Sequence, residues 1–318
     1  QCTLMHVLLV RHGQSANNVI EAELGECPEF FRRRTVDPQL SPLGERQAAA
    51  LARHLGTQLR ACAHEGRVRV ECSSMRRAMQ TAAPLCATLG VQPRVRPDCV
   101  ERCAFFSVDA SGAQIAECGP SREAVRRDFP TFDTSLLQTA QPTLESAAAA
   151  RMRAASVAAG LLADARAADA PELLVLVAHA DFIGLLVRAL LFPLSCASAD
   201  VEEHATAQPV EPYWDLNNTA TVHVALQPTG RVRLLHWNRS DHLVEKLRSG
   251  IAWKNIPGCG AAAQWARHGE GGSGHRPSFN EARAVAAPRA DHEDALPGMI
   301  ASALVGAALA LVASRFVR

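Results

Sequence analysis

Apolar and polar positions alternate along the chain in two rhythms. Short runs of aliphatic and β-branched residues occur at 6–10, 68–72, 173–178, 220–226 and 232–236, each about the length of a strand. Between them apolar residues recur at helical spacing over 42–63, 76–89, 143–168 and 181–191. Such alternation predicts parallel βαβ units with helices on both faces of one sheet. The last two runs flank "QPTG" and read as a hairpin. The expected fold class is α/β: a three-layer α/β/α sandwich with a mostly parallel central sheet, plus a C-terminal transmembrane helix.

That last element comes from a change of pattern after Trp253. Residues 257–295 are rich in Gly, Ala, Pro, Arg and His without apolar periodicity, the composition of a disordered linker. The catalytic domain is therefore expected over 1–256. Beyond the linker, 296–318 is expected to be a membrane anchor, because 296–314 is uncharged and approaches the roughly 20 apolar residues that cross a bilayer. Ser302, Gly306, Ala310 and Ser314 would give that helix a small-residue face, which leaves a homodimer open. A soluble alanine-rich helix is the alternative.

Composition narrows the classes. The 318 residues, 48% hydrophobic, suffice for a sizeable core. With 33 Lys and Arg against 32 Asp and Glu, the net charge of +1 gives no nucleic-acid signature, so any anion site is local. The ten cysteines form no C-x-x-C pair and read as free thiols rather than a metal site; no metal or cofactor is expected. No secretory leader is visible, which places the anchored catalytic domain on the cytosolic side, with the mitochondrial outer membrane one option. Arg315 and Arg318 against "DHED" at 291–294 argue for the opposite orientation.

The chemistry starts at "VLLVRHGQSANN", residues 7–18, where a buried strand runs into Arg11, His12 and Gly13. Ligands of open α/β sheets bind at the carboxyl ends of strands, so these side chains arrive where chemistry is done. A guanidinium fork, an imidazole and the amide of Asn18, followed by a helix N-terminus, suit a phosphoryl oxyanion. Arg-His-Gly alone is weak evidence: "ARHGEGG" at 266–272 has it too, but follows no strand and reads as chance.

Three further segments add weight: "DPQLSPLGERQA" (37–48), "CSSMRRAMQTA" (72–82) and "LLVLVAHADFIGLL" (173–186). With the late "NRSDHL" (238–243), the chain from about residue 6 to about residue 243 resembles the histidine phosphatase superfamily, whose founding members are phosphoglycerate mutases. The resemblance implies that His12 accepts the phosphoryl group, that Arg11 and Arg77 clamp it, and that His179 is the second pocket histidine. Asn18 matches a pocket amide and Ala180 the position after the second histidine. In "CVERCAFF" Glu101 is the expected acid/base carboxylate, with Glu117 and Glu123 as other candidates.

The mechanism so implied needs no metal: neutral His12 attacks phosphorus in line while Glu101 protonates the leaving oxygen, and water then releases phosphate. Each preorganised donor contributes roughly 3 kcal/mol in the transition state. The family's usual glycine after the second histidine is here Ala180, which costs free energy if the site needs positive φ, and Asp181 reads as a helix N-cap. After Glu101 the glycine-containing run of the mutases is missing, which favours hydrolysis. Residues 104–144 are expected to form a substrate-selecting lid, with Arg122, Arg126 and Arg127 either a solvated helix face or a clamp for a second phosphate. The expected protein is a membrane-tethered phosphatase of a phosphorylated small molecule or phosphoprotein. A mutase, or an anchored interaction protein with a dead pocket, are the alternatives.

Overall fold

The computed structural model describes residues 4–25, 27–103, 105–137, 144–168, 172–192 and 214–250. The chain divides into units Gln1–Arg267 and His268–Arg318, and all described residues lie in the first. In order they form β1 (Met5–Arg11), α1 (Ala16–Leu24), α2 (Pro28–Arg33), α3 (Pro42–His64), β2 (Val68–Ser73), α4 (Arg76–Leu89) and β3 (Arg94–Arg96). Then come β4 (Phe106–Val108), β5 (Gln114–Ala116), α5 (Arg122–Asp128), α6 (Ala147–Ala167), β6 (Glu172–Ala178), α7 (Ala180–Leu191), β7 (Thr221–Leu226) and β8 (Val232–Arg239).

The main sheet has the order β3-β2-β6-β1-β7-β8. Its first four strands are parallel, whereas β7 and β8 form the expected antiparallel hairpin. Successive side chains of β1 point to opposite faces: Val7 and Leu9 pack with α6 and α7, Leu8 and Val10 with α3 and α4. Both faces are covered, which explains the unbroken apolar runs of β1 and β6, and burying each such aliphatic side chain contributes about 1.5–3 kcal/mol. Strand β8 lies at the sheet edge and alternates between partly buried and exposed positions.

Helix starts are fixed in two ways. Ser41 and Ser146 cap α3 and α6 locally, accepting hydrogen bonds from the Gly44 and Ala149 N–H groups. The starts of α4 and α7 have no local side-chain cap and take carboxylates from afar. Asp37 accepts from the Arg76 N–H (3.0 Å) and Glu101 from the Phe182 N–H (3.1 Å). Both long-range caps lie at the carboxyl edge of the sheet.

The fold class needs one correction. Among the described residues, which form the sandwich, no helix is long and apolar enough to cross a membrane, so the expected transmembrane helix is not part of the described fold. The anchor expectation rested on 296–314. That stretch, the linker 257–295 and the second Arg-His-Gly at 267–269 all lie outside the described residues.

Candidate active site

Strands β1 and β6 pair with Arg11 opposite Ala178, so both end at one level. The residues that follow, His12 and His179, are thereby set side by side, with ring centroids 5.1 Å apart and both imidazoles buried. The backbone holds this arrangement: the His12 N–H donates to the Ala178 carbonyl (3.0 Å), and the Thr219 N–H to that of Arg11 (3.0 Å). Gly13 turns the chain against the start of α3. A Cβ at Gly13 would stand 2.7 Å from the Gly44 carbonyl oxygen, and one at Gly44 would run into the Gln14 carbonyl.

Arg77, second residue of α4, is buried and points its Nε at His12 Nε2 (3.1 Å). An arginine nitrogen only donates, so Nε2 must be the acceptor and the imidazole proton must sit on Nδ1. Nδ1 indeed donates to the Gly13 carbonyl at 2.7 Å. The free lone pair of His12 is thus on the nitrogen facing the arginine. Burial, then the charges of Arg77 and Arg11, hold the His12 pKa well below the usual imidazole value, and the ring is neutral at pH 7.

His179 is likewise pushed down, by burial and then by Arg77. Its Nε2 lies 2.8 Å from Ser73 Oγ, while its Nδ1 is buried without a hydrogen-bond partner among the described residues. The Arg11 guanidinium donates to the Leu216 carbonyl, and its Nε is also buried and, among the described residues, unpartnered. Unsatisfied buried donors on a cation mark a place shaped for an anion.

Glu101 completes the group. Its Oε1 accepts from the Arg102 N–H (2.9 Å) and the Phe182 N–H (3.1 Å). Burial, then the nearby Asp181 carboxylate, push its pKa up to about 7, against the pull of those hydrogen bonds and of Arg77. A carboxyl titrating there can give and take a proton at neutral pH. The other carboxylates lie elsewhere: Glu117 accepts from Ser107 Oγ (2.6 Å) and Glu123 is exposed in the first turn of α5.

Several sequence readings are sharpened or revised. Arg76 turns outward to pair with Asp128, which separates it from Arg77. Asn18 is spent on a capping box with Ser15 and reaches His12 only through Asn218, whose amide donates to the His12 carbonyl (3.1 Å). Ala180 is the first residue of α7, and among the described residues the non-glycine ones with positive φ are Cys103, Thr219 and Asn238, so alanine there meets no strain. Asp181 is not the N-cap, because the helix starts one residue earlier and His179 takes that position; Asp181 pairs with Arg102 (3.5 Å). The arginines of α5 are engaged by neighbours: Arg122 donates to the Leu137 carbonyl, Arg126 to Thr134 Oγ1 and Arg127 pairs with Asp128.

Sequence reading missed the loop 216–220, which supports Arg11 and His12 from behind. Thr219 holds φ of 57° there, and the Asn217 N–H is anchored by Asn238 Oδ1 (2.8 Å). Adjacent asparagines before a strand, "LNNTA", were the available signal, since Asn favours such turns. Ser73 was missed as well, one small polar residue at a strand end. Arg34 was hidden in the run "RRR".

The sequence profile of the histidine phosphatase superfamily (branch 1) matches residues 7–211. The chain belongs to that superfamily, and this makes it a phosphoric monoester hydrolase by class. Solved structures it is similar to include mycobacterial glucosyl-3-phosphoglycerate phosphatase, with 24% identity, 74% of this chain and 100% of that one covered, and a TM-score of 0.45. Another is "Mycobacterial hydrolase 2", with 23% identity, 77% and 94% covered, TM-score 0.45. A third is phosphoserine phosphatase from Entamoeba histolytica with 3-phosphoglyceric acid, with 18% identity, 76% and 100% covered, TM-score 0.41. No curated protein matches the chain significantly.

Proposed function

We propose that the protein hydrolyses phosphomonoesters through a phosphohistidine formed on His12. The observation that carries this reading is the tautomer: Nδ1–H is held by the Gly13 carbonyl, and the lone pair of Nε2 faces the buried arginine cluster. An incoming phosphoryl group takes over the donors of Arg77 and Arg11, which frees Nε2 for in-line attack. The N–P bond forms as the P–O ester bond breaks, and the leaving oxygen takes the Glu101 proton. Water then attacks phosphorus, gives its proton to the Glu101 carboxylate and restores His12 as phosphate departs. Arg11, Arg77 and His179 spread charge over the equatorial oxygens throughout.

The test is labelling of the full chain with a 32P-phosphomonoester, quenched in alkaline SDS and run with EDTA present. Acid-labile, base-stable label in wild type and none in His12→Ala is the expected result. Label that survives His12→Ala overturns the assignment. Phosphate release by wild type without labelled protein would replace covalent transfer by direct attack of water.

A further inference from the structure

Two polar side chains near the site, Arg34 and Ser73, have no task in the mechanism. Arg34 is engaged by Phe106: its guanidinium lies 3.8 Å from the ring centroid, and Nη1 donates to the Phe106 carbonyl at 2.6 Å. Ser73 is engaged by the site itself. It ends β2, whose parallel pairing with β6 sets Cys72 opposite Val177, so Ser73 stands beside the residues that follow β6. It is fully buried, and its Oγ lies 2.8 Å from His179 Nε2 and 3.2 Å from the Met75 nitrogen.

That hydroxyl decides where the His179 ring keeps its proton. Burial and then Arg77 hold the ring neutral, so its tautomer determines what it offers a ligand. A serine hydroxyl has one hydrogen to give and two lone pairs. One lone pair accepts the Met75 N–H. If Nε2–H donated to the other, two buried groups would stay open among the described residues: the hydroxyl hydrogen and a bare lone pair on His179 Nδ1. With the hydroxyl donating to Nε2 instead, only the Nδ1–H stays open. Buried polar groups without partners are costly, so the second arrangement wins. The two imidazoles are then complementary. His12 offers a lone pair for attack, and His179 offers a hydrogen.

We propose that Ser73 is a positioning residue: by donating to His179 Nε2 it holds the second imidazole in the Nδ1–H form, whose hydrogen goes to a phosphoryl oxygen. This rests on the phosphatase reading above and adds the group that orients one of its donors. In the other tautomer a neutral His179 would turn a lone pair toward the anion and repel it.

The test reads the ring directly. Long-range 1H–15N correlations of the full chain carrying 15N-histidine separate protonated from bare ring nitrogens, and a His179→Gln sample assigns the signals. Wild type is expected to carry the His179 proton on Nδ1, and Ser73→Ala to move it wholly or partly to Nε2. With 4-nitrophenyl phosphate, Ser73→Ala should lower kcat/KM about tenfold to a hundredfold, as loss of a group that orients a site imidazole does. In a His179→Ala background the same change should cost about threefold at most, because the ring it orients is gone. A wild-type His179 protonated on Nε2 overturns the proposal whatever the variants do. So does a tautomer or a rate that Ser73→Ala leaves unchanged, or an equal loss in the His179→Ala background. Failure of the underlying reading looks different: wild type is then inactive on aryl and alkyl phosphates alike, or His12→Ala keeps its activity.

Discussion

Two groups of histidines stand at opposite ends of β1, and only one has the neighbours that make a phosphate site. At the start of the strand His6 Nδ1 meets His223 Nε2 at 2.9 Å, and His236 lies beyond, its ring 5.5 Å from that of His223. With His54 and His242 they line a groove of about 390 Å³ beside α3. Past the other end lie His12 and His179. Burial is the leading cause of a lowered pKa in both groups, so a depressed imidazole does not by itself mark chemistry. What differs is the cations. The groove's arginines are already neutralised, Arg67 by Glu65 and Arg239 by Asp241, and its rings bond to each other, to threonines or, for His54, to Gln58. Around His12 the arginines donate to a carbonyl and to the imidazole itself.

The contrast can be broken most sharply at the nucleophile. His12→Ala should lower phosphatase activity by about four orders of magnitude or more, with His223→Ala as the matched control that keeps it. Next comes the proton donor. Glu101→Gln should slow hydrolysis of alkyl phosphates about 10²- to 10⁴-fold and aryl phosphates less, since a phenolate leaves without a proton. In wild type, kcat/KM should fall above pH 7, where the carboxyl raised to about 7 gives up its proton, and Glu101→Gln should erase that limb. On the acid side activity should persist below pH 6.5, because His12 resists protonation.

Arg77→Ala should cost about 10²- to 10³-fold, as removal of one oxyanion donor does, and a loss below tenfold would shift the clamp to Arg11. The smallest effect belongs to the groove. The His223 pKa is lowered to about 4, so below its unfolded value near 6.5 the unfolded chain takes up a proton that the fold refuses. Stability present above pH 6.5 is therefore lost as pH falls toward 4. Discounted for partial exposure, the loss is about 1–2 kcal/mol, and denaturant titrations of wild type and His223→Gln at pH 7 and pH 4.5 measure it.

What was legible in the sequence followed from periodicity. The apolar runs of β1, β6 and β7 and the long helices α3, α4, α6 and α7 repeat one pattern over many residues, so local and tertiary demands agree there. The short strands were harder to read: β3 at the edge of the main sheet and the separate pair β4 and β5 have three residues each, too short for alternation to show. His12, Arg77 and His179 could be found because each follows a recognisable strand. Arg34 and the 216–220 loop could not, since their roles come from contacts with Phe106 and Arg11, distant in sequence. Asp181 shows the limit of local rules: a residue well suited to cap a helix does so only if the helix begins beside it.

The contact of Gly13 with Gly44 joins two backbones with no side chain between them. A joint of that kind has no intermediate versions: a methyl group on either partner collides at once, and nothing can repack to absorb it. The segments around Arg34 and Phe106 meet through side chains, which can be exchanged one at a time. Under natural or laboratory selection the surroundings of Arg34 are thus free to drift by single substitutions, while the turn that aims His12 is held fixed.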